Sequence, residues 1–227
     1  YSSLNLDAMS SAITSDVTIL DFDGDMITDY FFVSDVGGRI WRFDINKSNQ
    51  GKGDFAKAGV IFDANPNAEN SIGQSYQRFY YAPSISYFRD QKNNDEYLSL
   101  AIGSGFRAHP LVPNGQDSFY VIKDRNLVKA PARYETLIPE DLIDLQTSSF
   151  SNRSTSTSAS WADVSLTNSQ LDYGWKIELE VGEKVLSKAL TSQGDVYFTT
   201  FSPTVKESNP GSCIADVGNS SAYTLDI

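Results

Sequence analysis

The chain has 227 residues, of which 40% are hydrophobic and 12% aromatic, a composition typical of a globular protein. Its 18 Lys and Arg residues against 29 Asp and Glu residues give a formal net charge of −11, which excludes nucleic acid as the expected partner because the phosphate backbone would be repelled. No long apolar run predicts a transmembrane segment, and no charged and then apolar leader predicts a signal peptide in these residues. Because residue 1 is Tyr, we expect the chain to be a piece of a longer protein whose targeting signal lies elsewhere.

Short runs of β-branched and aromatic residues predict strands along most of the chain. In chain order they form three groups, which span about residues 17–45, 59–124 and 174–227. In the first group, Gly37-Gly38 predicts a tight hairpin between strands at 29–34 and 39–44. The second group holds runs at 59–63, 79–87, 97–103 and 118–123, and the third holds runs at 174–180, 184–190, 195–201 and 222–227. Each group is typical of an antiparallel meander.

Repeated groups of three or four strands predict an all-β fold, with the antiparallel four-stranded blades of a modified β-propeller in preference to a two-sheet sandwich. A faint internal echo favours repetition, since an aromatic residue shortly precedes an aspartate at 38–45 (GRIWRFDI), 118–124 (SFYVIKD) and 221–227 (SAYTLDI). A closed propeller has roughly four to eight blades. We therefore expect residues 1–227 to be a portion of one propeller domain that other sequence or another chain completes.

An insertion at about residues 135–170 separates the second and third groups. Proline, then acidic residues, then apolar residues at helical spacing predict a short helix at 139–145. Residues 147–160 are almost all Ser, Thr and Asn and predict a loop. The single cysteine, Cys213, excludes an internal disulfide, so we expect a free thiol or a partner outside this sequence.

Four aspartates between strand-forming runs at 17–20 and 30–33 are the strongest functional signal. They are Asp21, Asp23, Asp25 and Asp29 in the sequence DFDGDMITD. Carboxylates gathered so closely repel one another at neutral pH, and a bound cation removes that repulsion. Calcium takes about six to eight hard oxygen ligands in flexible geometry, to which the backbone carbonyl of Ile27 would contribute. The pattern predicts a calcium loop; the alternative is an Asp-rich turn.

The loop differs from an EF-hand in its flanks and at two positions. An EF-hand has glycine at position six and a bidentate glutamate at position twelve, between two helices. Here Met26 and Phe32 stand at those positions, and strand-forming runs flank the loop. We interpret it as a strand-loop-strand calcium site.

The remaining residues argue against an enzyme. His109 is the only histidine, Ser104 lies in no nucleophile elbow, and the nearby glycines lack the third glycine and the lysine of a nucleotide loop. We expect no catalytic residues and no cofactor other than Ca²⁺. Two other functions stay open: a calcium-dependent carbohydrate-binding propeller and a quinoprotein-like propeller enzyme.

The aspartate loop followed by 34–44 (SDVGGRIWRFD) resembles the C-terminal domain of the type IV pilus-tip adhesins of the PilC/PilY family. Later segments resemble the same family at 77–84 (QRFYYAPS), 103–111 (GSGFRAHPL), 117–124 (DSFYVIKD), 174–175 (GW), 182–187 (GEKVLS) and 197–203 (YFTTFSP). The resemblance covers nearly the whole chain from about residue 15. The aspartate motif alone also occurs in integrin-like propellers, so the order of the segments is the more specific feature.

This resemblance implies a modified β-propeller of a pilus biogenesis protein, secreted and displayed at the bacterial cell surface, on the pilus tip or in association with the outer membrane. It implies minor pilins and host or abiotic surfaces as partners. Calcium held by Asp21, Asp23, Asp25, Asp29 and the Ile27 carbonyl would regulate pilus extension against retraction, and with it twitching motility and surface attachment. Because glycine is often found at position six of the family's loops, we expect the geometry to depart most at Met26.

Overall fold

The structure is a computed structural model that describes residues 6, 9–49, 55–67, 76–90, 95–127, 129–145, 173–204 and 218–227. The protein is all-β, and these residues form three sheets of four or five strands with two single-turn 3₁₀ helices. No sheet closes into a barrel within the described ranges. A search of the same ranges finds no helix long and apolar enough to cross a membrane.

The first sheet carries the aspartate loop. Its order is β1-β2-β3-β4, all antiparallel, with β1 at Thr18–Leu20, β2 at Tyr30–Ser34, β3 at Arg39–Ile45 and β4 at Ala56–Asp63. The hairpin between β2 and β3 turns at the predicted Gly37-Gly38 pair. Gly38 has a φ of 81°, and a side chain there would collide with Asn65 and with the carbonyl of Gln77, so this turn requires glycine.

The second sheet has the order β5-β6-β7-β9-β8. Its strands are β5 (Ser84–Asp90), β6 (Asp95–Gly103), β7 (Ser118–Asp124), β8 (Ile143–Asp144) and β9 (Gly174–Glu178). Only the pair of β8 with β9 is parallel among these strands. In the third sheet β12 (Asp195–Pro203) pairs with β10 (Lys184–Val185), β11 (Leu190–Ser192) and β13 (Gly218–Asp226).

Two features of the fold differ from the predictions. The helix predicted at 139–145 is wrong: one 3₁₀ turn at Pro139–Asp141 is followed at once by β8, because Ile143 pairs with Trp175 of β9 instead of continuing a helical ladder. The strand groups also differ, since β4 joins the first sheet and β9 joins the second. Strand pairing depends on partners distant in sequence, which local patterns do not specify. The predicted loop at 147–160 and Cys213 lie outside the described residues.

Two apolar clusters join the three sheets face to face. The cluster between the first and second sheets includes Phe32, Phe62, Leu98, Leu100 and Tyr120, and the cluster between the second and third includes Val121, Trp175, Ile177, Val196 and Leu225. Successive side chains of a strand point to opposite faces, so β7 contributes to both clusters. In the second cluster the rings of Phe119 and Phe198 stack with centroids 3.8 Å apart. The sheets therefore pack on one another in chain order.

Candidate metal centre

Residues 21–29 form the loop between β1 and β2, and strand pairing holds both of its ends. Leu20 lies opposite Tyr30, and the amide of Asp29 donates to the carbonyl of Leu20 over 2.9 Å. The carbonyl of Asp29 accepts a hydrogen bond of 2.8 Å from the amide of Ile45 at the end of β3. Three strands of the first sheet thus position the loop.

Backbone amides of the loop donate to its carboxylates. Asp21 accepts hydrogen bonds from the amides of Gly24 (2.8 Å) and Met26 (2.7 Å), and Asp29 accepts one from the amide of Phe22 (2.7 Å). The same pattern recurs two residues apart along the loop, from the amide of Asp25 to Asp23 and from the amide of Ile27 to Asp25. An ionised carboxylate has about four acceptor positions. These bonds therefore orient the carboxylates and leave acceptor positions for a further partner.

The loop turns through two residues with positive φ. Gly24 has a φ of 76°, which glycine adopts without steric cost. Met26, at position six, has a φ of 67° and a side chain that is 94% exposed. At position six, methionine therefore adopts a left-handed conformation of the kind that glycine takes without steric cost.

Three of the four predicted carboxylate ligands converge. One carboxylate oxygen from each of Asp21, Asp23 and Asp29 lies within 4.8 Å of the other two. Calcium–oxygen distances are about 2.3–2.6 Å, so two ligands on opposite sides of one ion lie at most about 5 Å apart. The three oxygens thus fit a single calcium ion. Asp25 lies outside this set, and the side chain of Ile27 is 42% exposed.

The ammonium group of Lys47 pairs with two of these carboxylates, Asp23 and Asp29, and joins Asp25 to them. Its Nζ is 2.8 Å from Asp25 Oδ1, 2.8 Å from Asp29 Oδ1 and 3.1 Å from Asp23 Oδ1. An ammonium group and a metal ion are attracted to the same carboxylate oxygens. The Lys47 ammonium therefore lies where the carboxylates of the loop concentrate negative charge. A metal ion that binds there would displace this ammonium.

The ion pairs perturb the protonation of both partners. The hydrogen bond from Lys47, together with that from the Ile27 amide, holds the pKa of Asp25 below its ordinary value. Partial desolvation lowers the pKa of Lys47, but the hydrogen bonds to Asp25, Asp29 and Asp23 outweigh it, and that pKa lies above its ordinary value. Both groups are therefore charged at neutral pH.

Lys47 is absent from the predicted ligand set, although the hairpin carries a signal for it. In the register of β2 and β3, Tyr30 lies opposite Asp44. Continuing that register beyond the ends of the strands places Lys47 opposite Ile27, in the middle of the aspartate loop. Extending the pairing around Gly37-Gly38 would therefore have identified this lysine.

Phe22 connects the loop to the second sheet. Its ring meets the ring of Tyr87 of β5 edge-on, with centroids 5.5 Å apart, and lies 6.3 Å from the ring of Tyr30. It also packs against the apolar cluster between the first two sheets. The side chain of Phe22 therefore belongs both to the loop and to the packing contact between the first two sheets.

A buried arginine continues this connection. Arg42 of β3 donates to Asp44 from Nε (3.0 Å) and Nη2 (2.5 Å), and to Asp124 of β7 from Nη1 (2.6 Å). Its guanidinium carbon lies 4.4 Å from the centroid of the Tyr30 ring. Since Tyr30 directly follows Asp29, the loop adjoins an ion-pair network that bridges the first two sheets.

No protein-family profile matches the sequence, and no curated protein matches it. Among solved structures, the chain is similar to the crystal structure of the Pseudomonas aeruginosa PilY1 C-terminal domain, with a TM-score of 0.54 and 17% sequence identity. The match covers 82% of this chain and 44% of that chain, so this chain spans less than half the length of the solved one. The antiparallel sheets described above therefore form a PilY1-like all-β fold.

Proposed function

We propose that this chain is a calcium-binding β-propeller module of a type IV pilus biogenesis protein and not an enzyme. The observation that carries the proposal is the convergence of carboxylate oxygens from Asp21, Asp23 and Asp29 within 4.8 Å of one another, two of which also pair with the Lys47 ammonium. Hard carboxylate oxygens suit calcium, which accepts them in flexible coordination geometry. Asp25 and the carbonyl of Ile27 would complete the protein ligands.

The chemistry that calcium supplies is charge neutralisation and cross-linking of the loop. An ion that binds only the folded state stabilises it by RT ln(1 + [Ca]/Kd), about 2.7 kcal/mol when free calcium is 100 times Kd. Through Phe22 and Tyr30, that stabilisation would act at the contact between the first and second sheets. A partner that contacts the first and second sheets where they meet could then distinguish the calcium-bound loop from the calcium-free loop.

The PilY1-like fold, together with the ordered sequence segments that resemble the PilC/PilY family, supports the pilus context. We place the protein at the cell surface or pilus tip, exported and associated with the outer membrane, with minor pilins as its partners. Contact with host or abiotic surfaces belongs to the same proposal. The calcium-bound form would oppose pilus retraction, and loss of calcium would permit the retraction that drives twitching.

Calorimetric titration with calcium tests the site. The double variant Asp23→Asn/Asp25→Asn should lose the saturable heat of the wild-type chain. A matched control is Asp144→Asn/Glu178→Gln, which removes two carboxylates from a second lysine, Lys176, and should bind calcium as the wild type does. Equal heats in the loop variant and the wild type, or no saturable binding in either, would contradict the calcium assignment.

Lys47→Met tests the same site through an expected gain in calcium affinity. The incoming ion would no longer displace an ammonium group, so this variant should bind calcium more tightly than the wild type. The methionine retains an unbranched side chain of similar length, which limits the change in packing. Weaker calcium binding by Lys47→Met would show that the lysine does not occupy the ion's position.

The motility role needs a separate experiment, which can fail without affecting the calcium site. Bacteria whose only copy of the full-length protein carries Asp23→Asn/Asp25→Asn should assemble fewer surface pili and twitch less than bacteria with the control pair. Normal piliation and twitching in the loop variant would refute the regulatory role even where calorimetry confirms calcium binding.

A further inference from the structure

Two segments that the proposed function does not use meet beyond the strand ends of the second sheet. They are residues 76–81 and 105–111, and the amide of Gly105 donates to the carbonyl of Arg78 over 3.1 Å. Neighbouring sheets anchor the first segment at Tyr81. Its carbonyl accepts a hydrogen bond from Ser34 Oγ (2.6 Å), and its hydroxyl donates to the carbonyl of Leu186 (2.6 Å). The surface they form has a fixed backbone.

Two arginines on this surface pack on aromatic rings. The guanidinium of Arg78 lies 4.2 Å from the ring centroid of Phe106 and 5.1 Å from that of Tyr76. The guanidinium of Arg107 lies 5.3 Å from the ring centroid of Tyr81. A ring that covers the face of a guanidinium restrains its orientation and leaves its in-plane N–H groups available for hydrogen bonds.

Within the described ranges, neither arginine is paired with a carboxylate at salt-bridge distance, although the chain has 29 acidic residues and Arg78 interacts electrostatically with the buried Asp117 at longer range. Elsewhere, carboxylates pair with Arg39, Arg42, Arg89 and Arg125. In the part of the chain that the structure describes, neither Arg78 nor Arg107 forms an ion pair. Arg78 donates to the carbonyl of Tyr76 over 2.9 Å, and the exposed Arg107 makes no side-chain hydrogen bond within the described ranges. The guanidinium of Arg107 is thus available to solvent, and that of the half-buried Arg78 lies in the neighbouring segment with one donor already used.

We propose that this arginine–aromatic surface, comprising Tyr76, Arg78, Tyr81, Phe106 and Arg107, binds a short acidic segment of a partner protein. Guanidinium groups with a fixed plane bind carboxylates through two parallel hydrogen bonds. The aromatic rings, with Leu111 (52% exposed) nearby in sequence, offer contact to an apolar residue beside the carboxylate. A segment in which acidic and apolar residues alternate provides both groups.

The overall charge favours a short peptide over a long polyanion. With a net charge of −11, the protein repels extended polymers such as nucleic acids or sulfated polysaccharides, whose charges would reach beyond the arginine–aromatic surface. A peptide with two or three carboxylates meets only the local cationic groups, because salt screens the more distant charges over about 10 Å at 0.1 M ionic strength.

Fluorescence anisotropy with a labelled peptide of alternating Glu and Phe tests the proposal, with the Gln and Phe peptide as its neutral counterpart. The Glu peptide should bind saturably and the Gln peptide should not. Arg107→Gln should weaken binding by about tenfold or more, since it removes the charge-assisted hydrogen bonds from the guanidinium to the carboxylate. Arg107→Lys should weaken it too, because lysine lacks the planar fork.

Arg89→Gln is the matched control, since Arg89 is an exposed arginine paired with Glu96 on β5 and β6. It should bind the Glu peptide as the wild type does, and all variants should keep the wild-type thermal midpoint. Absence of binding by the Glu peptide would overturn the proposal, as would equal losses in Arg107→Gln and Arg89→Gln. Tighter binding of a heparin oligosaccharide than of the Glu peptide would also overturn it, because the partner would then be a polyanion.

Discussion

Replacing Met26 with glycine tests the geometry of the aspartate loop at its least usual residue. Met26 has a φ of 67°, and its amide donates to Asp21 over 2.7 Å. The left-handed conformation costs an L-residue with a side chain roughly 1–2 kcal/mol. Glycine avoids that cost but loses on the order of 0.5–1 kcal/mol more conformational entropy on folding. Since the methionine side chain is 94% exposed, its removal sacrifices almost no packing.

We therefore expect Met26→Gly to increase the free energy of unfolding in calcium-free buffer by about 0.75 kcal/mol, the difference between the midpoints of those two ranges. For a chain of this size, that corresponds to a rise in the thermal midpoint of roughly 1–4 °C. Urea denaturation followed by circular dichroism measures the first quantity, and a thermal scan measures the second. Calorimetric titration of the same variant measures whether its calcium affinity changes.

Gln193→Gly is the matched control. Gln193, in the turn between β11 and β12, is the other non-glycine residue with positive φ in the described ranges, at 54°, and it is also exposed. It should give a similar gain in stability without altering calcium affinity. A destabilised Met26→Gly variant would refute the strain argument at this residue. A much tighter calcium site in that variant would show that the calcium-free loop does not already hold the left-handed turn.

Three further predictions concern the buried groups that hold the sheets together. Arg42→Met should lower the free energy of unfolding by about 3–5 kcal/mol in urea denaturation, because it leaves Asp44 and Asp124 buried without a counter-charge. A loss below about 1 kcal/mol would contradict this prediction. Burial raises the pKa of Asp117 above its ordinary value of 3.8. Between 3.8 and the folded pKa, the folded state therefore retains a proton that the unfolded chain releases. The free energy of unfolding should fall as the pH rises through this range. Thermal scans across that range should show a smaller decline for Asp117→Asn, and an unchanged decline would exclude this residue as its cause. Phe198→Ala, which removes a buried ring from the stack between the second and third sheets, should cost about 3–5 kcal/mol in urea denaturation, and a near-neutral result would show that this contact is dispensable.

The hairpin at Gly37-Gly38 and the loop at residues 21–29 were predictable because they are encoded locally. A glycine that must adopt positive φ, alternating apolar residues and aspartates at fixed spacing each act within a few residues. The sheet to which each strand belongs was not predictable in the same way. Residues 59–63 and 174–178 have strand composition in any arrangement, and only pairing with β3 and β7 assigns them to the first and second sheets. The residues at 139–145 have a local preference for helix that pairing with β9 overrides.

By itself, the sequence determined that the protein is a β-rich globular chain with an acidic surface and an aspartate loop between two strands, because composition and short-range spacing decide those properties. Only the tertiary structure decided which groups surround that loop. Lys47 is 18 residues from Asp29, and Tyr87 is 65 residues from Phe22, yet both contact the loop. The same holds for Arg42, which pairs with a carboxylate 82 residues away. Such contacts depend on strand register and sheet packing, which bring charges and rings together irrespective of their separation along the chain.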